Sequence, residues 1–217
     1  DANLWPLNEG ETVEDFVAFL TPVIFDRDLY KKRRSSEDDI IANSAVNFYE
    51  GDISKSEVEA FYNKMRVPND ATPISYGLNS KLVKKDGKLY EDVYKADGLY
   101  GDAIKAIIGW LEKAKVVAEN ESQRNYTQKL IDYYTTGDLK TWDEYNIAWV
   151  QDSLSHIDYV NGFIEDYGDP MGLKATWEAI VDYKDIEATV RSNIISENAQ
   201  WFEDNSPVDA RFKKAKC

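Results

Sequence analysis

Apolar positions along the chain change period several times, and each change predicts an element. In "GETVEDFVAFLTPVIFD", Val13, Phe16, Val17 and Leu20 recur at helical spacing. A helix is expected there, ending at Pro22, whose ring and missing N–H oppose continuation. "SKSEVEAFYNKM" opens with Ser54 and has Glu57 three residues on, the spacing of a capping box. Val58, Phe61, Tyr62 and Met65 then form one apolar face. The pattern shifts in "ISYGLNSKLVKKDGKLYEDVYK", where two strand-like stretches flank Asp86-Gly87. That dipeptide is a strong hairpin signal, so strands are predicted at about 74–84 and about 88–95.

From Gly98 the helical period returns, with Leu99, Ala103, Ile107, Trp110, Ala114 and Val117 on one face. A second helix is predicted from about Ser122 to Tyr134, stopped by Gly137. "TWDEYNIAWVQD" starts another, with Thr141 and Glu144 at capping-box spacing. In "IDYVNGFIEDYGDPMGLKATWEAIVDYKD", Ile157, Tyr159, Phe163 and Tyr167 alternate, as do Trp177, Ala179, Val181 and Tyr183. A two-residue period around "GDPMG" predicts a second hairpin. Asp185 to Phe202 reads as helix again. The fold class is therefore α+β: mainly helical, with two β-hairpins contributing to a small β-core or barrel. Because an isolated hairpin is marginal in water, both are expected in one sheet.

Composition agrees with a packed core: of 217 residues, 43% are hydrophobic and 13% aromatic. Lys and Arg number 26 against 40 Asp and Glu, a formal charge of −14. Such a field repels phosphate backbones and anionic lipid, which argues against nucleic acid and membrane surfaces as partners. It attracts cations, including a peptide ammonium. The one cysteine is Cys217, so no intrachain disulfide can form. No apolar run is long enough to span a bilayer. Residue 1 is Asp and the chain stops in "RFKKAKC" without a closing element, so both ends read as cut from a longer protein.

Candidate chemistry is sparse. Zinc sites want clustered His or Cys, and this chain has His156 and Cys217 alone. No Gly-x-Ser-x-Gly elbow, phosphate loop or Asp-rich calcium loop occurs. With a single imidazole, a Ser-His-Asp arrangement is not expected. No catalytic and no metal-ligating residues are assigned within this chain. The acids of the second hairpin remain open to two readings: an ordinary solvated face, or a ligand grip on a strand that accepts a peptide by main-chain pairing.

Three stretches bear on that choice. "SYGLNSKL" (Ser75 to Leu82), "WVQD" (Trp149 to Asp152) and "GFIEDYGDPMG" (Gly162 to Gly172) occur in that order. The ordered set resembles the dipeptidyl peptidase III family of zinc peptidases. "LEKAKVVAEN" and "ENAQWFEDNSPVD" are similar to its bacterial, Bacteroides-type branch. The resemblance implies a fragment of a two-lobed enzyme that releases dipeptides from the N-terminus of short peptides. It implies a zinc cofactor in the parent enzyme, held by a His-Glu-x-x-Gly-His helix beyond this sequence, and none bound by the fragment.

Residues 1–178 would then be the substrate-binding lobe, and residues 179–217 a helix leading into the zinc-bearing lobe. The family's acidic residue four positions before the Gly of "GFIE" falls on Asp158, which would hold the substrate's free amino group. The family's substrate-contacting Tyr falls on Val160. Tyr159 is its neighbour, but one residue of offset sends a strand side chain to the other face. Asn161 is a second substrate-binding candidate. Asp169-Pro170 is read as a turn device. The expected partners are short peptides and the remainder of the parent chain. The expected compartment is cytoplasmic, with export as a lipoprotein the alternative. The rival function is a non-catalytic acidic protein-interaction domain on the same scaffold.

Overall fold

The computed structural model of the protein describes residues 5–26, 29–31 and 33–217. The chain forms two compact units. One runs to Ser153 and takes in Asn161–Glu178; the other is Leu154–Val160 with Ala179–Cys217. The fold class is α+β: seven α-helices and two small sheets occur among the described residues.

In the first unit, α1 (Val13–Phe25) is capped by Thr12, whose hydroxyl accepts from Asp15 N at 3.1 Å while the Asp15 carboxylate accepts from Thr12 N. The helix does not stop at Pro22 but runs on to Phe25. A proline inside a helix removes one hydrogen bond without forbidding the following residues from helical geometry. In α2 (Lys55–Asn63) the predicted capping box between Ser54 and Glu57 is present. Glu57 also pairs with Lys84 at 2.7 Å. Hydrogen bonds from Lys84 and from the cap hold the Glu57 carboxyl down to about 2.

Three strands make the first sheet in the order β1 (Tyr49–Glu50), β2 (Ser80–Lys85), β3 (Lys88–Val93). β1 runs parallel to β2, and β2 antiparallel to β3. Asp86 and Gly87 have φ of 51° and 73°, the doubly left-handed turn that matches the twist of a two-residue hairpin. Val58 and Tyr62 of α2 pack with Ile41, Ile53 and Leu82 in the core beneath this sheet.

A helical layer completes the unit: α3 (Gly101–Val116), α4 (Glu121–Thr136) and α5 (Leu139–Val150). Tyr126, Leu130, Ile131, Tyr133 and Tyr134 of α4 are buried, as are Trp142 and Tyr145 of α5. Their rings interlock, Tyr133 with Trp142 at 4.9 Å and Trp142 with Tyr145 at 5.2 Å between centroids. The predicted face of α3 is not the one it buries. Ile104 and Leu111 are inside, while Trp110 is 69% exposed and Val117 77%. Both stripes satisfy a helical period, and packing against α4 selects between them. Gly137 ends α4 in the left-handed region as expected, φ 74°, with its N–H on Tyr133 O. The cap of α5 is Asp138 rather than Thr141. Its carboxylate accepts from Lys140 N and Thr141 N, and the Thr141 hydroxyl donates to it.

The second hairpin is β4 (Ile157–Glu165) and β5 (Thr176–Tyr183). Lys184 N donates to His156 O, and Thr176 Oγ1 to Glu165 O, so the strands run antiparallel. The two hairpins do not share a sheet: β4 and β5 form a separate two-stranded sheet, and neither sheet closes into a barrel among the described residues. The connection from Asp166 to Ala175 joins the first sheet differently. Ala175 N donates to Leu78 O at 2.9 Å, and buried side chains do the rest.

In the second unit, α6 (Ile186–Glu197) is capped by Asp185, whose carboxylate accepts from Ala188 N. Asn198 separates it from α7 (Ala199–Asn205), and a short 3₁₀ turn follows at Ala210–Phe212. What read as one helix is thus two. Neither buries a residue; Ile186, Val190, Ile194 and Trp201 are all more than half exposed. No helix among the described residues is long and apolar enough to cross a membrane.

Candidate functional site

Asp158 lies near the start of β4 and is exposed; its Oδ1 accepts from Tyr159 N at 2.8 Å. Val160 and Tyr159 are half-buried. Asn161 is 9% exposed, and its Oδ1 accepts from the Tyr134 hydroxyl at 2.7 Å. That hydroxyl in turn accepts from Trp177 Nε1 at 2.8 Å, so a three-residue relay joins β5, α4 and β4. Burial raises the Tyr134 phenol above its ordinary value and keeps it a donor. Positions 158 and 161 are an odd number of residues apart, so the pleat of a strand does not give them one face.

Gly162 follows Asn161 because a side chain there has no room. An added Cβ would meet the Trp142 indole at 2.4 Å. Phe163 packs on Tyr94 at 4.7 Å between centroids. An apolar cavity of about 590 Å³ opens beside these residues, lined by Phe48, Tyr94, Ile104, Phe163 and Trp177 among others.

The connection between the strands carries two buried charged side chains that the sequence did not mark as such. Asp169 is fully buried and does more than turn the chain. Its carboxylate accepts from Met171 N, Leu173 N and Lys174 N, and from the Tyr49 hydroxyl at 2.9 and 3.0 Å. Burial, then the Asp169 charge and hydrogen bond, push the Tyr49 phenol well up. Lys174 is also fully buried. Its Nζ donates to Tyr62 Oη at 2.7 Å, Ser80 O at 3.0 Å, Ser80 Oγ at 3.2 Å and Gly77 O at 3.3 Å. Tyr62 and Ser80 donate onward to Glu91 Oε1, at 2.8 and 2.6 Å. Burial brings the Lys174 ammonium down to about 8, against the opposing pull of Glu91 and Asp169. The one sequence signal was the "GDPMG" turn with a Lys two residues on. Lysine is almost never fully buried, so the bare sequence favoured the surface.

Among the described residues, no three His, Cys, Asp or Glu side chains group in a way that would hold a metal ion. These residues therefore do not fit the zinc that the resemblance implies, and no metal-dependent step is derived from them.

Comparison with known proteins places the chain. Residues 26–217 match the model of Peptidase family M49, and the chain belongs to that family. A dipeptidyl peptidase 3 from Dictyostelium discoideum is 27% identical over 197 residues, covering 82% of this chain and 28% of its own length. The Homo sapiens dipeptidyl peptidase 3 is 26% identical over 119 residues, 55% of this chain and 16% of that protein. In fold, the chain is similar to a DPP III from Caldithrix abyssi. The TM-score is 0.57 at 24% identity, over 78% of this chain and 31% of that one. The chain thus spans less than a third of the length of these relatives.

Proposed function

We propose that this chain is the substrate-binding part of a dipeptidyl peptidase of the DPP III kind, which releases dipeptides from the N-terminus of short peptides. Family membership and the named relatives support the peptidase class. The observation that carries the substrate-binding role is the two-stranded β4–β5 sheet with an exposed carboxylate, Asp158, on β4. A peptide adds to such a sheet as a further strand through main-chain hydrogen bonds. The Asp158 carboxylate then takes the peptide's ammonium, while Asn161, held by Tyr134, would meet a peptide on the other face of the strand. In this reading residues 1–178 belong to the substrate-binding lobe and residues 179–217 lead toward the zinc-bearing one. Zinc would be held by residues outside these 217 and would supply Lewis-acid chemistry there. The chain alone is inactive.

The test is steady-state kinetics of the full-length enzyme with Asp158→Ala, Asp158→Glu and Asp158→Asn. A charge-assisted hydrogen bond of about 1.5–3 kcal/mol predicts a loss in kcat/KM of roughly 10- to 100-fold for Asp158→Ala. Asp158→Glu should keep more activity than Asp158→Asn, since the ammonium needs charge. Unchanged kcat/KM in Asp158→Ala, at an unchanged melting temperature, would sink the assignment. A full-length protein without dipeptide release would favour the acidic interaction domain instead.

A further inference from the structure

Lys174 and the groups around it form a buried polar network that ends on the half-buried Glu91. Every element packed there contributes. Tyr62 comes from α2, the Gly77 carbonyl from the loop before β2, Ser80 from the start of β2, and Glu91 from β3. Asp169 comes from the connection itself, and the Tyr49 ring of β1 lies 5.8 Å from Nζ. The chemistry of the donors fixes the direction of every bond. An ammonium has only hydrogens to give. Tyr62 Oη and Ser80 Oγ must therefore accept from Lys174, which leaves their own hydrogens for Glu91 Oε1, where both point. Ser80 has one other acceptor in reach, Gly77 O at 3.2 Å.

We propose that Lys174 is a proton-switched positioning residue. As an ammonium it turns the Tyr62 and Ser80 hydroxyls toward Glu91 and ties the 166–175 connection to α2 and the first sheet. On losing its proton it becomes an acceptor and draws one of those hydroxyls away from Glu91. Neutral lysine has two hydrogens and one lone pair, so the count balances: one N–H is lost and one O–H···N is gained. Glu91 keeps one hydroxyl and loses the other. Lys174, Tyr62 and Ser80 are buried, so the rearrangement passes through their hydrogen bonds to the half-buried Glu91. This inference goes beyond the peptidase reading and does not depend on it.

The experiment is an NMR titration of the 217-residue chain from about pH 6.5 to about pH 12, the span that brackets an ordinary lysine and a lowered one. It follows Lys174 Cε, Glu91 Cδ and Tyr62 Cζ. All three should move with one midpoint near 8. In Lys174→Met the step at that midpoint should vanish from Glu91 and Tyr62. In Ser80→Ala the step should persist at both Tyr62 and Glu91, because the Tyr62 hydroxyl is then the route and Glu91 loses it to Lys174. A Lys174 midpoint at the ordinary lysine value of about 10.4 would overturn the proposal. So would Glu91 and Tyr62 signals that stay flat through the Lys174 transition, the result a purely space-filling lysine gives. Should Lys174→Met not fold, the wild-type titration and Ser80→Ala still separate a switching lysine from a space-filling one.

Discussion

Lys174 Nζ lies 2.7 Å from the hydroxyl of Tyr62, and neither side chain reaches solvent. Residues 112 positions apart are thereby joined, a loop between two strands to a helix in the first half of the chain. The contact costs desolvation of a charge, and that cost has a measurable sign.

The Lys174 ammonium sits at about 8 in the folded chain, below the value near 10.4 of an unfolded lysine. Between those values the unfolded chain binds more protons, so stability should rise with pH across that window. The gain is on the order of 3 kcal/mol. Above about pH 10 it should fall, because the raised phenols of Tyr49 and Tyr62 stay protonated when folded and ionise when unfolded, so the folded chain then binds more protons. Denaturant midpoints for wild type and Lys174→Met at several pH values check this. The rise between about pH 8 and about pH 10 should be present in wild type and missing in the variant.

Gly162→Ala should destabilise by about 1–3 kcal/mol, the usual range for overpacking. The new Cβ would lie 2.4 Å from the Trp142 ring, which is buried among tyrosines and has nowhere to retreat. Gly168→Ala is the control. Nothing lies within 4 Å of a Cβ there, and stability should stay within about 0.5 kcal/mol. Equal effects at the two positions would refute the steric account.

Tyr49→Phe removes a side-chain donor to the buried Asp169 carboxylate, leaving the backbone donors of the connection. Hydrogen bonds to charged groups are worth about 1.5–3 kcal/mol, and a loss of that size is expected in thermal or denaturant unfolding. Because Asp169 is held by its own loop, amide exchange should quicken first at Leu173 and Lys174, whose N–H groups share that carboxylate.

The local elements were legible because their causes are local. The Ser54–Glu57 box, the Asp86-Gly87 turn and the Gly137 stop each depend on a few neighbouring residues, and all three occur as the sequence predicts. The alternation through β4 and β5 was equally visible, and the ordered motifs gave the family. Pro22 and Thr141 misled at the ends of helices, where one residue's preference yields to its neighbours.

What the sequence could not decide were choices between equivalent local options, settled by distant partners. Two stripes of α3 share a helical period, and α4 took the one with Ile104 and Leu111. Two hairpins could have formed one ladder, but the connection reaches the first sheet through Ala175 N, Asp169 and Lys174 instead. A lysine and an aspartate in a turn read as surface. Only the tertiary structure brings Tyr49, Tyr62, Ser80 and Glu91 within reach, and those hydrogen bonds are what allow the two charges to be buried.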